Sequence, residues 1–445
     1  MKKNKLFSIF FPAILLLLSF LFFSCATQAD FDFSNIDSAL AKNDFPAVYN
    51  ELDSKSNKIY SKHDEVLEFL DKGIVSHYSK NYQDSNKELA YAEKKIEEYY
   101  TVSISQSISS FLVNDTVKDY QGEIYEDIYS NIFMALNYLH QNEFDESMVE
   151  IRRFDTKLKD LSLKYQQRIE AARQEMENGS SEVPEAKLKF HNSAFARYLS
   201  MLLYRADGDV DNAAVDLKLL KQAFTFQPEI YNFPLPKNLN EDINIPEEKA
   251  RLNVIAFSGN APVKQEKILR IPLSSTYYKM ALPEMTKRPS SVASIKLHVS
   301  SKSTNWQTSK NVEKIESIEN IAVDTFKQHY TMMFIKELTR SITKATATGI
   351  LSEQADRLSG TSSLLLSLMS FTSSLATEFT ERADVRTTRY FPANVSVAGI
   401  TLTPGVYDIT IEYLNASGHV LASQTISDYQ VQSGKLNLIE DVFLR

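Results

Sequence analysis

Between Phe45 and Phe226 the apolar residues return every three or four positions. Leu89, Ala92, Ile96 and Tyr99 form one series, and Ile128, Ile132, Leu136 and Leu139 a second. Ile151, Phe154, Leu158, Leu161 and Tyr165 make a third, and Ala213, Leu217, Leu220 and Phe224 a fourth. This spacing lays an apolar stripe along one side of a helix. A lone helical hairpin cannot bury such a stripe, so the predicted hairpins must stack. Past Lys249 the period drops to two. Leu252, Val254 and Ala256 alternate with their neighbours, 295–301 is another strand, and Tyr407, Ile409, Ile411 and Tyr413 oppose Asp408, Thr410 and Glu412. Pro404-Gly405 turns the chain into that last strand, and Asn415–Gly418 turns it out again, which predicts a hairpin.

Four short stretches punctuate the helical half: NDFPAV at 43–48, KNYQDS at 80–85, NEFDES at 142–147 and GDVDNA at 208–213. Each sets a polar turn before Phe45, Tyr82, Phe144 or Val210, and a modest side chain (Val48, Ser85, Ser147 or Ala213) three residues later. The pattern resembles the turn within a tetratricopeptide repeat (TPR), where a small residue lets the second helix lie close to the first. The intervals of 37, 62 and 66 residues are irregular, and 101–127 and 174–189 supply the extra length. Four prolines between Phe226 and Lys249 stop the helices and mark a boundary. Later, Ile315, Ile318, Ala322, Phe326, Tyr330 and Met333 return to helical spacing, and helix resumes around 364–379. The predicted class is α+β multidomain: a signal peptide at 1–24, a TPR-like array of helical hairpins at 25–226, a Pro-rich linker at 227–249, and a β-sandwich-like domain at 250–445 with a helical insertion at about 313–382.

The first residues carry Lys2, Lys3 and Lys5, then an apolar run from Leu6 to Phe23, then Ser24 and Cys25. A basic start, an apolar core and a small residue before a cut make an export signal. The end of the run resembles a bacterial lipobox, with Phe22 where an aliphatic residue is usual, so Cys25 is the expected lipidation site. An uncleaved anchor is the alternative, although Pro12 interrupts the run. Cys25 is the sole cysteine, so the body folds without a disulfide. A diacylated or triacylated cysteine suffices to hold a protein on a membrane without a spanning helix.

Without residues 1–24 the chain has 46 Lys and Arg against 57 Asp and Glu. An acidic surface argues against nucleic acid as a partner. With 43% hydrophobic residues, 26 Phe and 22 Tyr, the chain has material for packed cores. The longest later apolar stretch, 363–376, is short and rich in Ser and Thr, which suits a buried helix.

Catalytic motifs are missing from the sequence. Its seven histidines (His63, His77, His140, His191, His298, His329 and His419) show no metal-ligand spacing, and no HExxH, GxSxG, P-loop or GxGxxG occurs. No cofactor is expected. DGDVDN at 207–212 lacks the glutamate of a calcium loop and suits helix capping. Glu123 and Glu126, spaced i and i+3, are expected on a solvated helix face. Asp384, Arg386 and Arg389 form the densest charged cluster near the strands and suit an ion pair between helix and sheet.

The stretches 257–273, 281–297 and 383–409, with SSFLVND at 109–115 and 125–139, resemble a family of bacterial envelope lipoproteins of no assigned activity. The resemblance implies a helical-repeat front and a β-rich back. That family tends to carry Trp where Thr388 stands here. The expected function is a lipid-anchored, non-enzymatic scaffold in the cell envelope that binds other envelope proteins. A peptidoglycan- or glycan-binding accessory protein is the alternative, and an envelope hydrolase the third reading.

Overall fold

The computed structural model describes residues 31–105, 118–175, 188–273, 276–327, 330 and 383–445. Cys25 and the apolar run before it, His329, the stretch 364–379 and most of 101–117 and 174–189 lie outside these residues. The chain is mixed α+β. Its front holds α1 (Ser34–Leu40), α2 (Phe45–Ser54), a short α3 (Ser56–Ile59), α4 (Glu65–Tyr78), α5 (Tyr82–Ser105), α6 (Ile124–His140), α7 (Phe144–Glu175), α8 (Ala194–Ala206) and α9 (Val210–Phe226). They pair as hairpins α1/α2, α4/α5, α6/α7 and α8/α9.

All four hairpin turns share one construction. Asn43, Lys80, Asn142 and Gly208 have φ of 54°, 63°, 63° and 83°. The next N–H in each turn, from Asp44, Asn81, Glu143 or Asp209, reaches the carbonyl five residues back at 2.8–3.0 Å. A left-handed residue followed by this bond ends a helix and reverses the chain. Asp44 and Asp209 then cap the second helices through Ala47 N and Asn212 N, so DGDVDN serves as a cap. The small positions work as the sequence implies: Val48, Ser85, Ser147 and Ala213 are fully buried. Ser85 Oγ donates to Gly73 O at 2.7 Å and Ser147 Oγ to Ala135 O at 2.8 Å, each twelve residues back on the partner helix. A Cβ on Gly73 would stand 2.7 Å from Leu89, so the α4–α5 crossing requires glycine or a local shift.

The rear comprises β1 (Ala250–Asn260), β2 (Val263–Leu273), β3 (Thr276–Thr286), β4 (Ser294–Ser301), β5 (Gln307–Ser317), helix α10 over 318–327, β6 (Pro392–Leu402), β7 (Gly405–Leu414), β8 (Val420–Val431) and β9 (Asn437–Phe443). β2 and β3 form a separate two-stranded ribbon. The others make one sheet in the order β8-β7-β4-β5-β6-β1-β9, with β1 parallel to β9 and the remaining pairs antiparallel. In place of two facing sheets, this single sheet curls until it is nearly closed. Tyr413 of β7 meets Phe443 of β9 at 5.4 Å between ring centroids, and Tyr429 of β8 donates to Leu438 O of β9. The strands 295–301 and 405–414 and the hairpin through Gly418 follow the predicted alternation. The predicted helical insertion starts later than its periodicity suggests. Residues 313–317, Ile315 among them, complete β5, and helix begins at 318, where Asn320 N donates to Ser317 Oγ.

Two cores result. Leu252, Val254 and Ala256 of β1 join Leu297, Ile409, Ile411 and Ile439 inside the curled sheet. Ile255 and Phe257, on the other face of β1, join the helices in a larger core with Phe391, Val395 and Val442. The Pro-rich segment lies against this core, with Ile230, Tyr231 and Leu239 buried in it. Among the described residues no helix is long and apolar enough to cross a membrane.

Candidate functional site

The helical array meets the curled sheet along a seam built from the first helix of each hairpin. Amphipathic helices bury one stripe, and a helix buried all round has neighbours on both sides. From Leu70 to Tyr78 α4 is buried without a break, and so is α6 from Ile124 to Asn137. Phe133 of α6 packs at 5.5 Å from Phe257 of β1 and 5.6 Å from Phe391, and Phe195 of α8 lies 6.0 Å from Phe257. The face that the first helices turn away from their hairpin partners is therefore occupied by the chain's own sheet.

Polar pairs key this apolar seam. Residues 383–391 run as an extended strap over α4 and α6. Glu126 is fully buried and accepts from Tyr120 Oη at 2.6 Å, Glu123 N at 2.8 Å, Thr388 N at 2.9 Å and Thr387 Oγ1 at 3.0 Å. Glu123 pairs with Lys264 at 2.7 Å. The expectation of a solvated face at Glu123 and Glu126 is thus corrected. The strap covers the start of α6, and backbone and hydroxyl donors there demand an acceptor that can be buried. Burial, and then Glu123, raise the Glu126 pKa.

The Asp384–Arg386 pair bridges strap and helix as expected. Arg386 binds Asp384 at 2.8 Å and Asp64, at the start of α4, at 3.1 Å. Burial opposes ionisation of Asp384, yet Lys264 and Arg386 hold its pKa down to about 2. Arg389 stacks on Phe33, 4.1 Å from the ring centroid, and reaches Asp37 of α1 at 3.4 Å. Thr388 Oγ1 and Arg389 N both donate to Asp71 Oδ1, while Tyr60 Oη donates to its Oδ2 at 2.9 Å. Desolvation pushes Asp71 up to about 7 despite these bonds. On the next hairpin, Glu316 of β5 accepts from Tyr129, Ser193 Oγ, Phe195 N and Tyr231.

A third group reaches a cleft. His77 Nε2 lies 2.6 Å from Glu440 Oε1, and His140 Nε2 lies 3.0 Å from Glu440 Oε2. Asn137 Nδ2 donates to Ser85 Oγ and Asn86 Oδ1, which turns its Oδ1 toward His77 Nδ1 at 2.7 Å. Both ring nitrogens of His77 thus face oxygen atoms, an amide on one side and a carboxylate on the other. Burial works against the Glu440 anion, but His77 and His140 hold its pKa well below the usual carboxylate range. His140 stacks on Tyr82 at 4.6 Å with planes 6° apart. The neighbouring cleft, about 140 Å³, is walled by Asn43, Phe45, Lys80, Tyr82 and Asp441 among others. Among the described residues no group of three or more His, Cys, Asp or Glu has metal-holding geometry.

Sequence spacing missed the His77–Glu440–His140 group because Glu440 is 300 residues beyond His140. One local signal existed: His77 and His140 both sit in the last turn of a first helix, where a cation suits the helix dipole. The other described histidines (His63, His191, His298 and His419) join neither this group nor one another.

The second helices differ. Phe144 and Val149 of α7, and Val210 and Val215 of α9, are 41%, 43%, 49% and 54% exposed. They occupy the first and sixth positions of successive second helices.

Scans against protein-family models, curated proteins and solved structures each found no match.

Proposed function

We propose that this chain is a lipid-anchored cell-envelope protein that works without catalysis, as a scaffold binding other envelope proteins through a TPR-like hairpin array. One observation carries the binding surface. The equivalent positions Phe144/Val210 and Val149/Val215 expose apolar side chains on successive second helices. The face of the first helices is filled by the sheet, so recognition falls to the outer face. The buried carboxylates of the seam are each engaged by donors of the chain itself, which fits a structural use. Cys25 supplies the membrane attachment, and the start of α1 lies nine residues after it. Fully extended, that tether reaches about 30 Å.

A photo-crosslinking side chain placed at Val149 or Val215 of the full-length protein tests the scaffold reading in cells. Discrete adducts with a protein are expected at both positions. None is expected at Lys87, the equivalent and exposed position of α5. Adducts with cell-wall glycan would transfer the assignment to the peptidoglycan-binding alternative. Cys25→Ala is expected to release the protein from membranes, and retention of that variant would favour an uncleaved anchor.

A further inference from the structure

The cleft beside Glu440 stands apart from the outer face, and its chemistry is more specific. It opens between the first two hairpin turns and the sheet, walled by Asn43 and Phe45 of the first turn, Lys80 and Tyr82 of the second, and Glu440 and Asp441 of β9. At about 140 Å³ it compares with a cavity of roughly 150 Å³ that takes up benzene. Asn43 donates through Nδ2 to Val442 O at 3.2 Å, which holds the amide in place and leaves Oδ1 buried with no hydrogen-bond partner. A buried acceptor without a donor costs free energy that a ligand can recover. Each Glu440 oxygen takes one histidine bond and keeps a lone pair. Asp441 adds a second carboxyl. Desolvation pushes it up to about 6, with Glu440 and Tyr413 facing it and Lys80 the opposing cation. Phe45 and Tyr82, the latter stacked on His140, add aromatic rings to the lining, and such rings attract a cation.

We propose that this cleft binds a small primary ammonium group, with Asn43 Oδ1, Asp441 and Glu440 as acceptors and Phe45 and Tyr82 as aromatic walls. The ammonium has three donors and a compact charge, which suits acceptors on separate side chains better than a planar guanidinium does. A lysine side chain of a peptide and a free alkylamine share this chemistry. Lys80 lies at the rim as the competing cation of the chain itself.

Titration calorimetry of the full-length protein in mild detergent, with n-butylammonium, n-butanol and n-butyrate as probes, tests the site. Butylammonium is expected to bind at least tenfold more tightly than butanol, and butyrate not at all. Asn43→Gly keeps a residue suited to φ 54° and removes the orphan acceptor, while Asp441→Asn removes the charge. Each should weaken butylammonium at least fivefold. Lys80→Asn, which also suits its left-handed turn, should tighten it. Butyrate binding more tightly than butylammonium, loss of binding in Lys80→Asn, or affinity unchanged in both Asn43→Gly and Asp441→Asn overturns the proposal. If the site holds, repeating the titration with Nα-acetyl-lysine amide separates the sources. Tighter binding than butylammonium points to a peptide lysine, and weaker binding to a free amine.

Discussion

The first and second helices of the hairpins share a fold and differ in what lies behind them. α4 from Leu70 to Tyr78 and α6 from Ile124 to Asn137 are covered on every side and turn titratable groups inward: Asp71, His77, Glu126 and Asp127 are all buried, as is Glu123 at the α6 cap. α7 and α9 bury one stripe and leave Val149, Val210 and Val215 in solvent. The inner helices carry more polar atoms at depth than the outer ones. Asp71, His77, Glu123 and Glu126 each meet a partner from the rear half, whereas Asp127 pairs with Lys157 of α7; apolar contact alone would tolerate sliding. Asp71 with Thr388, Glu126 with Thr387, His77 with Glu440 and Tyr198 with Asn253 together set how the array sits on the sheet.

The contrast can be broken most forcefully at Phe133, which is fully buried between Phe257 and Phe391. Phe133→Ala is expected to lower unfolding free energy by about 3–5 kcal/mol in urea titrations. The outer counterpart Phe144→Ala should change it by less than about 0.5 kcal/mol. Equal losses would mean that the two helix layers are not distinct. Next comes Gly73→Ala, expected to cost about 1–3 kcal/mol because the new methyl overlaps Leu89 across the α4–α5 crossing.

A smaller effect sharpens the role of the polar keys. The folded state holds a proton on Asp71 up to about pH 7, whereas an unfolded aspartate releases it near pH 4. Native protein then binds more protons than unfolded protein in that window, so stability falls as pH rises through it. Asp71→Asn should flatten this part of a stability–pH profile measured by thermal unfolding. An unaltered slope would assign the window to other groups, of which Asp441, pushed up to about 6, is the next. Asp384, held at about 2, acts in the opposite sense: its contribution is present at neutral pH and fades as pH falls toward that value. At the same key, Thr388→Val is expected to cost about 1–2 kcal/mol through the lost bond to Asp71.

Local pattern alone determined much of this protein. Period and turn chemistry are properties of neighbours along the chain, so the hairpins, the positions of Val48, Ser85, Ser147 and Ala213, the cap at Asp209 and the alternation in 405–414 were legible. The Asp384–Arg386 pair was legible for a similar reason, since its members are two residues apart, whereas the helix partner Asp64 lies 322 residues from Arg386 and was not. Tertiary structure alone decided that Ile315 ends a strand instead of opening a helix, because pairing of β5 with β6 outweighs a helical spacing that also fits. It also decided that one sheet curls where two were expected, and that Glu123 and Glu126 are buried. The join between His77, His140 and Glu440 is of the same kind. Sequence reports which side chains seek cover, but which distant segment provides it depends on contacts between residues hundreds of positions apart.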